Sequence, residues 1–216
     1  MKTIITLSNK KSRIPPEFQN DDNRYPESLV EYFIKKYSKK GDKIIDIFAG
    51  LGTSMFVSEK LGRVPFGIEL DQKRCQFVKT KIQHKENIIC GNSLRLDKFN
   101  FPKFNFSITS PPYNHKNEQN YLSGKGGYGG FLNDIRKIYQ KLKPLMKGNS
   151  FVIIEVSNLK GKEVTTLAWD IANEVSKVFH FEGEIIINWK TKGTCKEGGN
   201  YGYGYDHSYC LVFKNK

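Results

Sequence analysis

No stretch of this chain stays apolar for the roughly 20 residues that a bilayer-crossing helix needs, and Met1–Lys11 lacks the apolar core of a secretory signal. A soluble, cytoplasmic protein with no membrane partner is expected. Cysteine is scarce too: Cys75, Cys90, Cys195 and Cys210 are dispersed, with no Cys-x-x-Cys pair and no His-Cys cluster at zinc-ligand spacing. Reduced, structural thiols are therefore expected, and no metal centre. The lack of a Pro-Cys dipeptide disfavours covalent attack on a pyrimidine ring by cysteine. The combined His-x-Glu and Pro-Cys-x-x-Cys signature of zinc deaminases is also missing. Acids are the last shortage. Asp and Glu total 22 against 35 Lys and Arg, a formal charge of +13, which favours a polyanionic partner through phosphate contacts and counterion release.

With 216 residues the chain suits one α/β domain with a substantial core. Residues 1–24 are polar, with Pro15-Pro16 and Asn20-Asp21-Asp22-Asn23, and read as an irregular N-terminal arm; residues 25–216 read as a single domain. Helical spacing starts near Pro26 and stops at Gly41-Asp42, before the mostly apolar strand Lys43–Phe48. The rhythm continues as helix Thr53–Leu61, strand Val64–Glu69, helix Gln72–Ile82, strand Asn87–Cys90 and strand Phe104–Thr109. A glycine-rich loop over Asn114–Gly130 precedes helix Phe131–Met146, strand Phe151–Val156 and helix Val164–Val178. Strands Glu184–Trp189 and His207–Phe213 flank a second loop near 190–206, rich in Gly and Tyr. The alternation predicts an α/β fold: a mostly parallel sheet of about seven strands, helices on both faces, and a C-terminal antiparallel hairpin at its edge.

Two glycines stand where a strand becomes a helix, in Asp46-Ile47-Phe48-Ala49-Gly50-Leu51-Gly52-Thr53. There they permit a tight turn and close backbone approach to a ligand. The next strand ends on Glu69, an acid suited to accepting both hydroxyls of a ribose. The third glycine of a dinucleotide fingerprint is absent, so a Rossmann dehydrogenase fits poorly. The pair resembles the S-adenosylmethionine site of class I methyltransferases. On that resemblance Asp46, Phe48, Ala49, Gly50, Gly52 and Thr53 surround the methionine part of the cofactor and Glu69 binds the ribose, with Asp71 either assisting or capping the next helix. Asn92, with Ser93 beside it, is the candidate facing the adenine amino group, or else a turn former. Arg24-Tyr25-Pro26 before a helix resembles the amino-methyltransferase motif conventionally numbered ten, placing Tyr25 and Pro26 near the cofactor. The Rossmann-like class I methyltransferase fold follows from the same likeness.

Thr109-Ser110-Pro111-Pro112-Tyr113 ends the strand Phe104–Thr109 with a hydroxyl, two stiff prolines and an aromatic ring. Ser-Pro-Pro-Tyr resembles the catalytic motif of DNA methyltransferases that modify exocyclic amino groups, and Ser in first place is most typical of the cytosine-N4 enzymes. An exocyclic amine is a poor nucleophile because its lone pair is delocalised into the ring. The Ser110 oxygen and the Pro111 carbonyl can accept its two hydrogens and so aim the lone pair; Pro111 and Pro112 keep those acceptors fixed, and Tyr113 stacks on the extruded base. Ser110 cannot remove a proton at neutral pH, so its role is orientation.

Many relatives place the catalytic motif before the cofactor motif. Here the order is reversed and no recognition domain lies between them, so target recognition falls to the arm, the two loops or a partner. Asn114, His115, Tyr203 and Tyr205 are the substrate-binding candidates, Tyr203 and Tyr205 as stacking rings or as ordinary hairpin packing. The implied partner is nucleic acid, DNA ahead of RNA, with a recognition partner or a companion restriction nuclease as further candidates; target sequence and oligomeric state stay open. Adenine N6, an amino group in RNA, and a nucleic-acid-binding subunit without turnover are the alternatives.

Overall fold

The computed structural model describes residues 2–113, 122–123, 125–161, 163–190 and 204–216. Its centre is a sheet of eight strands in the order β1-β7-β8-β6-β5-β2-β3-β4. The strands are β1 (Ile4–Leu7), β2 (Lys43–Asp46), β3 (Val64–Glu69), β4 (Ile88–Cys90), β5 (Phe104–Thr109), β6 (Met146–Val156), β7 (His180–Trp189) and β8 (His207–Lys214). Strands β4, β3, β2, β5 and β6 run parallel, whereas β8 is antiparallel to both β6 and β7. From β2 the chain winds outward through β3 to β4, then returns to β5 on the other side of β2. That reversal makes the carboxyl ends of β2 and β5 the topological switch point, where open α/β sheets bind ligands.

Helices cover both faces. Helix α1 (Glu27–Tyr37) buries Leu29, Val30, Phe33 and Ile34 against Ile44, Phe106, Ile108, Ile153 and Val212, with α2 (Thr53–Lys60) beside it. On the opposite face α4 (Gly127–Leu142) and α5 (Leu167–Ser176) pack Phe131, Ile135, Ile138, Leu167 and Ile171 over Ile45, Val152, Ile154 and Leu211. Ile44 and Ile45 thus face opposite cores, as the two-residue period of a strand buried on both sides requires. Helix α3 (Gln72–Lys81) closes a smaller cluster through Cys75 and Val78. Among the described residues no helix is long and apolar enough to cross a membrane.

Four expectations are corrected. The sheet has eight strands, because Ile4–Leu7 leaves the supposed irregular arm and pairs in parallel with Ile186–Trp189. Four residues carry too little local signal to announce a strand; pairing with β7 supplies the hydrogen bonds. The terminal hairpin is accordingly not the edge: β1 covers β7, and β8 sits between β7 and β6. The glycine-rich loop ends sooner than its composition suggests, since α4 begins at Gly127. Tyr128 anchors that turn by stacking near Phe131, ring centres 6.1 Å apart, and by donating its hydroxyl to Asp170 at 2.7 Å. Finally, Cys75 and Cys90 are joined in a disulfide, their Cα atoms 5.5 Å apart, because the crossover through α3 lays its first turn beside the end of β4. Cys210 is a buried free thiol whose pKa burial pushes up.

Candidate active site

A cleft of about 790 Å³ opens at the carboxyl ends of β2, β3 and β5, within the range of small-molecule sites. The glycine loop forms its floor. Gly52 caps α2 at φ +82°, and a Cβ there would meet Val78 Cγ2 at 2.8 Å, so both conformation and space call for glycine. Opposite the loop, Glu69 accepts the Gly50 N–H at 2.7 Å with one carboxylate oxygen and the Asp71 N–H at 2.9 Å with the other. Burial raises its pKa despite these two bonds. The carboxylate therefore links the glycine loop to the turn after β3.

Asp46 links everything else. It is 2% exposed, and its carboxylate accepts the Tyr25 hydroxyl at 2.9 Å, the Thr109 hydroxyl at 2.5 Å, the Phe48 N–H at 3.0 Å and the Ser54 hydroxyl. Burial raises its pKa, opposed by these hydrogen bonds. Tyr25 comes from the segment before α1, Ser54 from α2, and Thr109 immediately precedes Ser110. One buried acid thus holds the three sequence motifs in a common geometry.

Of the residues singled out from sequence, Tyr25, Phe48, Ala49, Gly50, Thr53, Glu69, Asp71, Asn92, Ser93, Ser110, Pro111, Pro112 and Tyr113 all line this cleft. Asp46, Pro26 and Gly52 do not. Asp46 is engaged by protein donors, Pro26 caps α1, and Gly52 turns the backbone behind the loop. Asp71 caps α3 by accepting the Arg74 N–H at 2.9 Å, and Asn92 caps the short helix at 93–98 by accepting the Leu94 N–H at 2.8 Å. Ser93 donates its hydroxyl to the Ile47 carbonyl. Tyr205 lies outside the cleft, against Lys160 and His207. Asn114, His115 and Tyr203 fall outside the described residues.

Two contributors go beyond the candidate residues named from sequence. The N-terminal segment is a wall of the cleft, through Asn23 and through Arg24, which heads the motif of Tyr25 and Pro26. It is fastened by Arg24 Nε to Asp22 Oδ1 at 2.8 Å, Arg24 Nη2 to the Ser12 carbonyl at 2.9 Å, and Ser28 Oγ to the Ser8 carbonyl at 2.6 Å. Burial works to raise the Asp22 pKa, but the Arg24 and Lys11 cations overcome it and hold it below the ordinary value. The second is Glu155, 1% exposed at the end of β6, which accepts the Tyr113 hydroxyl at 3.4 Å. The available signal was an acid closing the apolar run Phe151–Ile154.

In the fold comparison, the chain superposes on TrmN from Thermus thermophilus with a TM-score of 0.64 at 14% identity, over 92% of this chain and 51% of that one. A TehB-like SAM-dependent methyltransferase from Corynebacterium glutamicum gives 0.58 at 15% identity, over 93% of both. The fold is that of the class I methyltransferases. The model of the family described as DNA methylase, of the N6/N4 type, matches residues 3–80 and 104–216, and the chain belongs to that family. Among curated proteins, the type II methyltransferase M.MjaII of Methanocaldococcus jannaschii is 36% identical over 75 residues; the match takes in 35% of this chain but only 14% of that protein.

S-adenosylmethionine is the cofactor of this family and fold, and the cleft fits it on its own terms. Thr53 lines the cleft, and its buried hydroxyl has no hydrogen-bond partner among the described residues. Open space surrounds the position where Gly50 would carry a Cβ. Each Glu69 oxygen accepts one backbone N–H and retains capacity for a ribose hydroxyl.

Proposed function

We propose that this protein methylates the exocyclic N4 amino group of cytosine in DNA, with the target base turned out of the helix into the cleft. The cofactor supplies an electrophilic methyl group; everything else is positioning. The observation that carries the reading is the Thr109–Asp46 hydrogen bond, 2.5 Å long, which ties the strand end bearing Ser110 to the acid beneath the glycine loop. Ser110 and the Pro111 carbonyl accept the two amino hydrogens, directing the nitrogen lone pair toward the methyl donor. Pro111 and Pro112 hold φ, and Tyr113 offers its ring to the base while its hydroxyl reaches Glu155. The proton leaves after transfer and needs no base stronger than water.

The sequence preference of Ser for cytosine N4 favours that base over adenine N6, and the charge of +13 suits a nucleic acid. Base-resolved analysis of DNA incubated with the protein and labelled cofactor tests the assignment. N4-methylcytosine is the expected product. N6-methyladenine as the sole product would move the assignment to adenine, and methyl transfer to tRNA or rRNA in preference to DNA would move it to RNA. A companion nuclease and a cytoplasmic setting belong with the DNA reading.

A further inference from the structure

Strand β8 begins at the same rim of the sheet as the cleft, because it runs antiparallel to β6 and pairs Tyr209 with Val156. Tyr205, His207 and Tyr209 alternate with Asp206 and Ser208, so the two-residue period of an extended chain turns their rings to one side. The rings form a series. Tyr205 and His207 have centres 5.5 Å apart, His207 and Tyr209 5.1 Å, and Tyr209 and Trp169, in the first turn of α5, 5.0 Å. His207 Nε2 lies 3.0 Å from the Tyr209 hydroxyl. At one end Lys160 holds its ammonium 4.5 Å from the Tyr205 ring centre; at the other, Trp169 is 43% exposed, one of few large apolar side chains on the described surface.

An indole left nearly half in water gains nothing for folding from its outer face. A single exposed apolar side chain is ordinary on a protein surface; what marks this place is that Trp169 continues a contiguous series of rings. A ring series ending in a cation combines π-faces with a phosphate partner, the composition of a stacking platform for single-stranded nucleic acid. A duplex cannot use it, since paired bases already stack on each other. A strand locally opened by extrusion of one base can.

Resting on the nucleic-acid substrate proposed above, we infer that Trp169, Tyr209, His207, Tyr205 and Lys160 form a second contact surface, which stacks unpaired nucleotides flanking the target base and pairs Lys160 with a phosphate. This strip would hold the opened strand while Ser110 acts on the extruded base.

The chain has two tryptophans, and Trp189 is 2% exposed, so Trp169 emission reports on the surface. Titrating the full chain with the oligothymidylate (dT)12 should quench tryptophan emission, and Trp169→Phe should lose that quenching while keeping the fold. Trp169→Ala should weaken (dT)12 binding by about five- to tenfold, the scale of one lost base stack. Lys160→Ala should lower the salt slope of log K by about 0.7, one single-strand phosphate contact. Binding of (dT)12 with unchanged emission, or equal quenching by inorganic polyphosphate, would overturn the platform. Methyl transfer is read separately on the same preparation. Quenching without any transfer to DNA upholds the platform and removes the methylation reading; transfer without quenching does the reverse.

Discussion

The cofactor half of the cleft and the rim beyond Tyr113 are held together in different ways. Around the glycine loop nearly every polar side chain is committed: Asp46 accepts four hydrogen bonds, Glu69 two, and Asn92 and Ser93 each make one. On the rim, Tyr113 reaches Glu155 at 3.4 Å, His207 Nε2 lies 3.0 Å from the Tyr209 hydroxyl, and the Tyr205, His207, Tyr209 and Trp169 rings pack in series, with Trp169 open to solvent. Small-molecule positioning calls for directional, desolvated bonds that fix atoms to fractions of an ångström. A flexible polyanion is met better by π-faces and cations, which tolerate variation in base and backbone. The comparison separates a preorganised site from an adaptable surface.

Breaking it at the junction gives the largest effect. On the proposed mechanism Ser110→Ala removes one aimed acceptor at the reacting amine, and methyl transfer should fall about 10²- to 10³-fold, as losses of single oriented hydrogen bonds in active sites do. Cofactor affinity, measured by calorimetry, should stay within about twofold, because the proposed mechanism assigns Ser110 to the base and not to the cofactor. Equal losses in both would place Ser110 in the cofactor half.

Next in size is Asp46→Asn. The amide cannot accept at its nitrogen, so either the Tyr25 and Ser54 hydroxyls, which share one carboxylate oxygen, or the Thr109 hydroxyl and the Phe48 N–H, which share the other, lose their acceptor in a buried setting. That costs about 1–3 kcal/mol, readable in urea unfolding. Because the same acid ties the glycine loop to the strand that leads into Ser110, cofactor affinity and transfer rate should both drop. A variant with full stability would show that the network is not a unit.

The smallest effect sharpens the comparison through pH. Burial raises the Glu69 pKa, so its proton is taken up at a higher pH than the ordinary value near 4.5. If the ionised form accepts the ribose hydroxyls, as proposed, cofactor affinity should decline on acidification from above pH 4.5, and Glu69→Gln should flatten that decline while lowering affinity at neutral pH by about tenfold. For folding the sign is opposite. The folded chain binds this proton more tightly than the unfolded one, so the contribution to stability is fully present below the unfolded pKa and is lost as pH rises through the folded one. Affinity and stability should therefore move in opposite directions over the same window.

How much could be read in advance varies with the range of the interaction. The glycine loop, Glu69 and Ser110–Tyr113 were legible because each is a local backbone demand: a left-handed turn, an acid at a strand end, a rigid proline pair. Asp46 was legible as a residue of the glycine loop, but its engagement by protein hydroxyls was not, because two of the three, Tyr25 and Thr109, stand 21 and 63 residues away. Glu155 was invisible for the same reason, 42 residues from Tyr113. Ile4–Leu7 is too short to declare itself, and the Cys75–Cys90 pair has no spacing signature.

By itself the sequence determined the α/β rhythm, the glycine-loop and Ser-Pro-Pro-Tyr motifs and the basic character, since these depend on residue type and neighbours within a few positions. Only the tertiary structure decided that one buried carboxylate joins those motifs, that the N-terminal segment walls the cleft and adds a strand, and that Trp169 continues the ring series of β8. Each of these is a contact between distant residues, and such contacts exist only once the sheet has ordered its strands.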